Sequence, residues 1–284
     1  MHLSPMQILC QRNPFFHLHF LKGLYIAYTF TEENKKEMKK LLLHAICVLV
    51  TMTSCKKGND GDDSINKAEK GYATGKVADT KGKPLSNVEI TVENVLPGAS
   101  NSYTGKTDAN GFYKIKIGPV GEYHASAYHT VLYNGVTYSL PMHSDNDAVF
   151  SNEGAVRNFE WKLTGSMYSG GRYGSSITLD ADINFMINDP ENIEYTLKPV
   201  GKLIDGSDGQ ELVLHPGLPN TESYGKLLDI PIGRYTLSAV YLNRGARKPL
   251  RLKLTNDYDA PYRGTVTIDF PEFFYEGVAV MYNE

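Results

Sequence analysis

The sequence predicts an all-β protein: two tandem β-sandwiches behind an N-terminal export leader. Three observations carry this. Short segments alternate apolar and polar residues with the period of two that a half-buried strand requires, as in Val88-Glu89-Ile90-Thr91-Val92 and Tyr113-Lys114-Ile115-Lys116-Ile117. Turn signals separate them, the strongest being Asn134-Gly135 between Val131-Leu132-Tyr133 and Val136-Thr137-Tyr138, a two-residue hairpin pattern. Finally, 26 Gly and 19 Tyr among 284 residues suit a chain rich in turns and strands.

Composition excludes several classes. With 41% hydrophobic and 21% charged residues, the chain is neither a disordered tail nor a multi-span membrane protein. Lys and Arg total 29 against 32 Asp and Glu, so the basic surplus of a nucleic-acid binder is missing. Three cysteines build neither a disulfide scaffold nor a four-cysteine zinc site.

Residues 1–37 show neither helical period nor strand alternation and read as an over-called upstream extension. Met38-Lys39-Lys40 then opens a charged segment, Leu41–Met52 is apolar apart from His44 and Thr51, and Thr53-Ser54-Cys55 closes it with small residues. This is the layout of a secretory signal (38–54), too short to span a bilayer. Met52-Thr53-Ser54-Cys55 resembles the lipobox of bacterial lipoproteins, with Met52 where Leu is usual. The resemblance implies diacylation of Cys55, which would become the first residue. Removing residues 1–54 takes away six basic and three acidic residues and leaves a net charge of −6.

The next stretch, 55–71, holds Lys56-Lys57-Gly58-Asn59-Asp60-Gly61-Asp62-Asp63 and reads as a solvated acidic tether. It resembles the acidic signals that, in some Gram-negative groups, send lipoproteins to the outer face of the outer membrane. The expected location is therefore the Gram-negative cell envelope, lipid-anchored to the outer membrane. Asp60, Asp62 and Asp63 lack the closing Glu of a hand-type calcium loop.

The first sandwich is expected over 72–164. Gly75-Lys76-Val77, Asp79, Gly82, Pro84-Leu85, Val88–Val92, Thr107–Tyr113 and Pro119-Val120-Gly121-Glu122-Tyr123 follow one another in an order that resembles the carboxypeptidase regulatory-like domain. The resemblance implies a prealbumin-like (transthyretin-like), seven-stranded sandwich. Within it Asp108 is expected to accept N–H bonds across a turn that Gly111 closes at positive φ, and Gly121 to precede a Tyr123 that buries its ring at a sandwich corner. These are scaffold roles.

The second sandwich is expected over 166–284, after a Gly-rich linker from Gly165 to Gly174. Ile177, Leu179, Ala181, Ile183 and Phe185 alternate with Thr178, Asp180, Asp182 and Asn184, and alternation returns around Ile193, Leu250, Val266 and Val278. Pro231-Ile232-Gly233-Arg234-Tyr235-Thr236-Leu237-Ser238-Ala239 aligns without gaps on Pro119–Ala127, repeating Pro, Gly, Tyr, Ser and Ala, so Gly233 and Tyr235 inherit the corner roles of Gly121 and Tyr123.

No catalytic constellation assembles. The four histidines beyond Cys55 (His124, His129, His143 and His215) stand in no zinc spacing, there is no Gly-x-Ser-x-Gly elbow, and Ser169-Gly170-Gly171-Arg172 lacks the Lys of a phosphate loop. The peptidases that name the resembling family keep their zinc in a separate domain. The chain is therefore expected to be no enzyme and to take neither cofactor nor metal. The remaining candidates are loop tyrosines: Tyr128, Tyr133 and Tyr138 around Asn134-Gly135, and Tyr258 and Tyr262 around Asp259-Ala260-Pro261, with Tyr168 and Tyr173 in the linker. Two functions follow. One is a binding module that contacts a glycan or an envelope protein through these tyrosines. The alternative is a structural or assembly subunit, or spacer, of a larger envelope complex. Tyrosines projecting together into solvent would favour the first, and buried tyrosines the second. Nucleic acid is not an expected partner.

Overall fold

The computed structural model describes residues 67–284 except 186 and 258. The leader, the Cys55 lipidation, most of the tether and Tyr258 lie outside the described residues. The fold is all-β, and among the described residues the helical elements are the 3₁₀ turns Pro190–Asn192 and Phe274–Glu276. No helix among them is long and apolar enough to cross a membrane.

The first sandwich runs through β1 (Tyr72–Ala78), β2 (Glu89–Asn94), β3 (Ser102–Lys106), β4 (Phe112–Lys116), β5 (Glu122–Tyr133), β6 (Val136–Pro141), β7 (His143–Ser144), β8 (Phe150–Ser151), β9 (Ala155–Val156) and β10 (Phe159–Glu160). One sheet has the order β4-β1-β10-β7 with β9 also on β1, and the other β3-β2-β5-β6 with β8 also on β5. Alternation places Ala73, Val77, Ile115 and Phe159 of one sheet and Ile90, Val92, Tyr123 and Leu140 of the other in the core. Asn134 (φ 47) and Gly135 (φ 83) make the turn whose hand matches strand twist, and Tyr133 pairs with Val136 across it.

The second sandwich comprises β11 (Ser175–Ala181), β12 (Ile193–Pro199), β13 (Leu212–Leu214), β14 (Lys226–Ile230), β15 (Tyr235–Asn243), β16 (Ala246–Leu254), β17 (Val266–Ile268) and β18 (Val278–Asn283). It repeats the first pairing by pairing. As β1 pairs antiparallel with β4 and parallel with β9 and β10, so β11 pairs antiparallel with β14 and parallel with β18. As β5 pairs with β2, β6 and β8, so β15 pairs with β12, β16 and β17. Both also turn the same corner. β6 and β7 form one run broken at Met142, which leaves β5 to join β10 in the opposite sheet. β16 does so without a break, Ala246–Leu250 on β15 and Arg251–Leu254 on β18, which merges the second sandwich into a continuous eight-stranded sheet folded on itself.

Two sequence readings change. The alternation from Ile177 to Phe185 overruns its strand: β11 ends at Ala181, the Asp182 carboxylate takes the Asn184 N–H in a turn, and Ile183 is 90% exposed. The linker Gly165–Gly174 is itself a small hairpin, closed by Met167 N–H to the Gly171 carbonyl and Tyr173 N–H to the Gly165 carbonyl.

Candidate functional site

The corner motifs supply the scaffold chemistry. The Asp108 carboxylate accepts N–H bonds from Asn110 (2.8 Å) and Phe112 (2.9 Å), and Gly111 sits at φ 74. Tyr123 is fully buried, and its hydroxyl reaches the carbonyls of Gly118 (3.1 Å) and Val120 (3.0 Å). Tyr235 repeats this with the carbonyl of Pro231 (2.8 Å). Gly121 and Gly233 are needed for room: a Cβ would fall 2.5 Å from the Tyr123 ring and 3.2 Å from the Tyr235 ring.

The candidate ligand tyrosines part company. Tyr138 is 2% exposed and its hydroxyl donates to the Phe270 carbonyl at 2.7 Å; burial, then the nearby Asp269 carboxylate, push its pKa up to about 12. Tyr133 is half-buried, donates to the Lys202 carbonyl (2.7 Å) and accepts the Arg234 N–H (3.1 Å). Both therefore bridge the two sandwiches. Tyr262 is half-buried, its hydroxyl on Asp182 (2.6 Å) and its ring under the Lys253 ammonium. Its hydrogen bond holds the Asp182 carboxyl below the usual carboxylate range. Tyr128 alone of the described four is well exposed, at 47%.

What these residues build is a seam. The β5–β6 hairpin of the first sandwich meets the corner loop Pro231–Arg234 of the second. Leu140, Trp161, Leu163, Tyr173, Ile204 and Ile232 close around a residual cavity of about 10 Å³, too small for more than a single water. Polar ties ring it: Thr80 hydroxyl to Asp205 (2.6 Å), and His143 Nδ1 with the Tyr173 hydroxyl (3.0 Å). Asp229, held at φ 60 in β14, accepts the N–H groups of Gly165 (2.8 and 2.9 Å) and Gly174 (3.2 Å) and so pins both ends of the linker hairpin. Sequence reasoning did not single out Asp229, an acid in a strand, nor Thr80. Asp205-Gly206-Ser207-Asp208-Gly209 has the composition of a turn, which carries no signal of the contact Asp205 makes with Thr80. Among the described residues no group of three or more His, Cys, Asp and Glu side chains is arranged to hold a metal ion.

No protein-family model and no curated protein matches the chain. Among solved structures it is similar to the Bacillus anthracis TIE protein (15% identity, 75% of this chain and 33% of that one, TM-score 0.31). It is also similar to a Streptococcal ancillary pilin (13% identity, 73% and 61%, TM-score 0.24) and to a C-terminal fragment of the pilus adhesin SpaC from Lactobacillus rhamnosus GG (10% identity, 75% and 96%, TM-score 0.22). The chain thus spans about a third of the first protein and under two thirds of the second. Likenesses this distant say nothing of what this chain does.

Proposed function

We propose that the chain is a non-catalytic envelope lipoprotein whose two sandwiches, the first a carboxypeptidase regulatory-like domain, are fused into one rigid arm that serves as a structural or assembly subunit. The observation that carries this reading is the seam: Tyr133 and Tyr138, two of the three hairpin tyrosines that would have served a ligand, are committed to joining the sandwiches. Tyr138 is buried and Tyr133 half-buried, so neither presents a free aromatic face, and a hinge would have to strand their hydroxyl partners. A domain pair joined by an apolar, hydrogen-bonded interface moves as one body.

Calorimetry tests the rigid arm. The protein is expected to unfold in one cooperative transition. Tyr133→Phe with Tyr138→Phe removes three hydrogen bonds across the seam, at about 1 kcal/mol each, and should split or broaden that transition. Two independent transitions in the unaltered protein would overturn the reading. The anchor is tested separately: Cys55→Ala should move the protein from the membrane fraction to the soluble one and block leader removal, and unchanged partitioning would remove the lipid from the proposal.

A further inference from the structure

A second aromatic cluster, which shares Tyr128 with the hairpin set, lies on the free edge of β5 away from Tyr133 and Tyr138. β6 pairs with β5 only from Tyr128 onward and β8 only at Glu122 and Tyr123, so among the described residues no strand pairs with this edge from His124 to Ala127. Met142 N–H bonds the Ala127 carbonyl, and the pleat's period of two turns the N–H and C=O of Ala125 toward the same opening. The opening is a groove of about 180 Å³, floored by Ala125 and Phe159 and walled on its far side by the linker hairpin at Met167–Ser169.

Its rim carries a specific set of groups. Tyr168, 58% exposed, stacks on His143 with ring centroids 5.2 Å apart and planes 10° from parallel. His143 is held in turn by the Tyr173 hydroxyl, and burial keeps it below its ordinary pKa, so at neutral pH the stack is uncharged. Tyr128 exposes its ring at the β6 end. Asp147, its side chain 41% exposed, is oriented by His124 Nε2 at 2.9 Å.

We propose that this groove binds one pyranose ring of a glycan, with Tyr168 and Tyr128 offering aromatic faces to the sugar's C–H faces and Asp147, His124 and the Ala125 backbone taking its hydroxyls. Size and chemistry single out this occupant. The volume is below the roughly 300 Å³ at which pockets for drug-sized ligands begin, and an apolar or extended aromatic ligand would leave the carboxylate and the backbone groups unmet. A pyranose has apolar faces and a rim of hydroxyls that both donate and accept, which matches a carboxylate acceptor beside a backbone N–H and C=O. The inference is separable from the rigid-arm reading by experiment: Tyr168 stands on the linker hairpin that Asp229 pins, but the other sugar-facing groups belong to the first sandwich and none of them is Tyr133 or Tyr138.

The test uses detergent-solubilised full-length protein on an array of neutral oligosaccharides. Saturation-transfer NMR with methyl glucoside, galactoside and mannoside follows. At least one pyranoside should give transfer. Tyr168→Ala should weaken binding about tenfold with the melting temperature kept, because Tyr168 is an exposed ring, and Asp147→Asn should weaken it several-fold. Tyr133→Phe, on the seam, should leave sugar binding intact. Absence of any glycan or pyranoside signal from the unaltered protein overturns the proposal. So does binding that survives both Tyr168→Ala and Asp147→Asn, or a groove that instead selects extended peptides pairing with the β5 edge.

Discussion

Gly75→Ala is expected to cost at least about 3 kcal/mol and to lower the melting temperature by roughly 10 °C, if the protein accumulates at all. Gly75 lies on the inner face of β1, where the chain passes from β9 to β10 through Arg157. A Cβ there would stand 1.8 Å from the Arg157 carbonyl oxygen, 2.7 Å from its carbon and 2.9 Å from the Tyr113 ring. Backbone cannot move aside as a flexible side chain can. That same carbonyl accepts the buried Tyr113 hydroxyl at 2.7 Å, and the Arg157 guanidinium donates to the carbonyls of Val156 and Ala148. Pushing Arg157 away therefore breaks the parallel pairing and strands several buried polar groups together. Gly264→Ala is the control: a Cβ meets no atom within 4 Å, and its melting temperature should be unchanged. Equal melting of the two variants would refute the account.

Tyr235→Ala is expected to cost about 3–5 kcal/mol, the range for deleting a buried aromatic ring, and Tyr235→Phe about 1 kcal/mol for the bond to Pro231. The ring is 1% exposed and meets Phe270 edge-on at 6.3 Å. Tyr123, its counterpart, packs edge-on to Tyr103 at 6.1 Å and against Phe150 at 6.0 Å, so Tyr123→Ala should cost a similar amount. The consequences should differ. The loop that Tyr235 holds is the one that docks on Tyr133, whereas the loop held by Tyr123 exposes Val120 at 77%. Tyr235→Ala should open the seam to protease near the linker hairpin at temperatures where Tyr123→Ala does not, and identical cleavage patterns would contradict this.

Strand positions were legible because period-two alternation reports which side of a ribbon is buried, a local property. The corner tyrosines were legible for a related reason, since Pro-x-Gly-x-Tyr binds its own hydroxyl a few residues upstream. Where alternation misled, at Ile183, a local Asx turn overrode it. The second hairpin, Arg244-Gly245 at φ 49 and 89, carries a weak sequence signal because Arg stands where Asn or Asp marks such turns, and only the glycine points to it. The groove is half legible in the sequence: Tyr128, Tyr168 and Tyr173 stand out as loop aromatics, but His143 and Asp147 come to the groove only through the Met142 corner and the loop after it.

By itself, then, the sequence determined an all-β chain with two copies of one strand grammar, because each strand, turn and corner is a contract among neighbouring residues. The tertiary structure alone decided which surfaces remain available. Val120 and Ile232 occupy the same place in the repeated motif and are nearly the same side chain, yet one is 77% exposed and the other 3%. The difference is a partner far along the chain: Leu140 and Pro141 of the first sandwich's hairpin pack at Ile232, and among the described residues no equivalent element covers Val120. Tyr133 and Tyr138 became seam residues for the same reason. Their hydroxyls found carbonyls 69 and 132 residues away, at a separation where sequence pattern carries no information about contact.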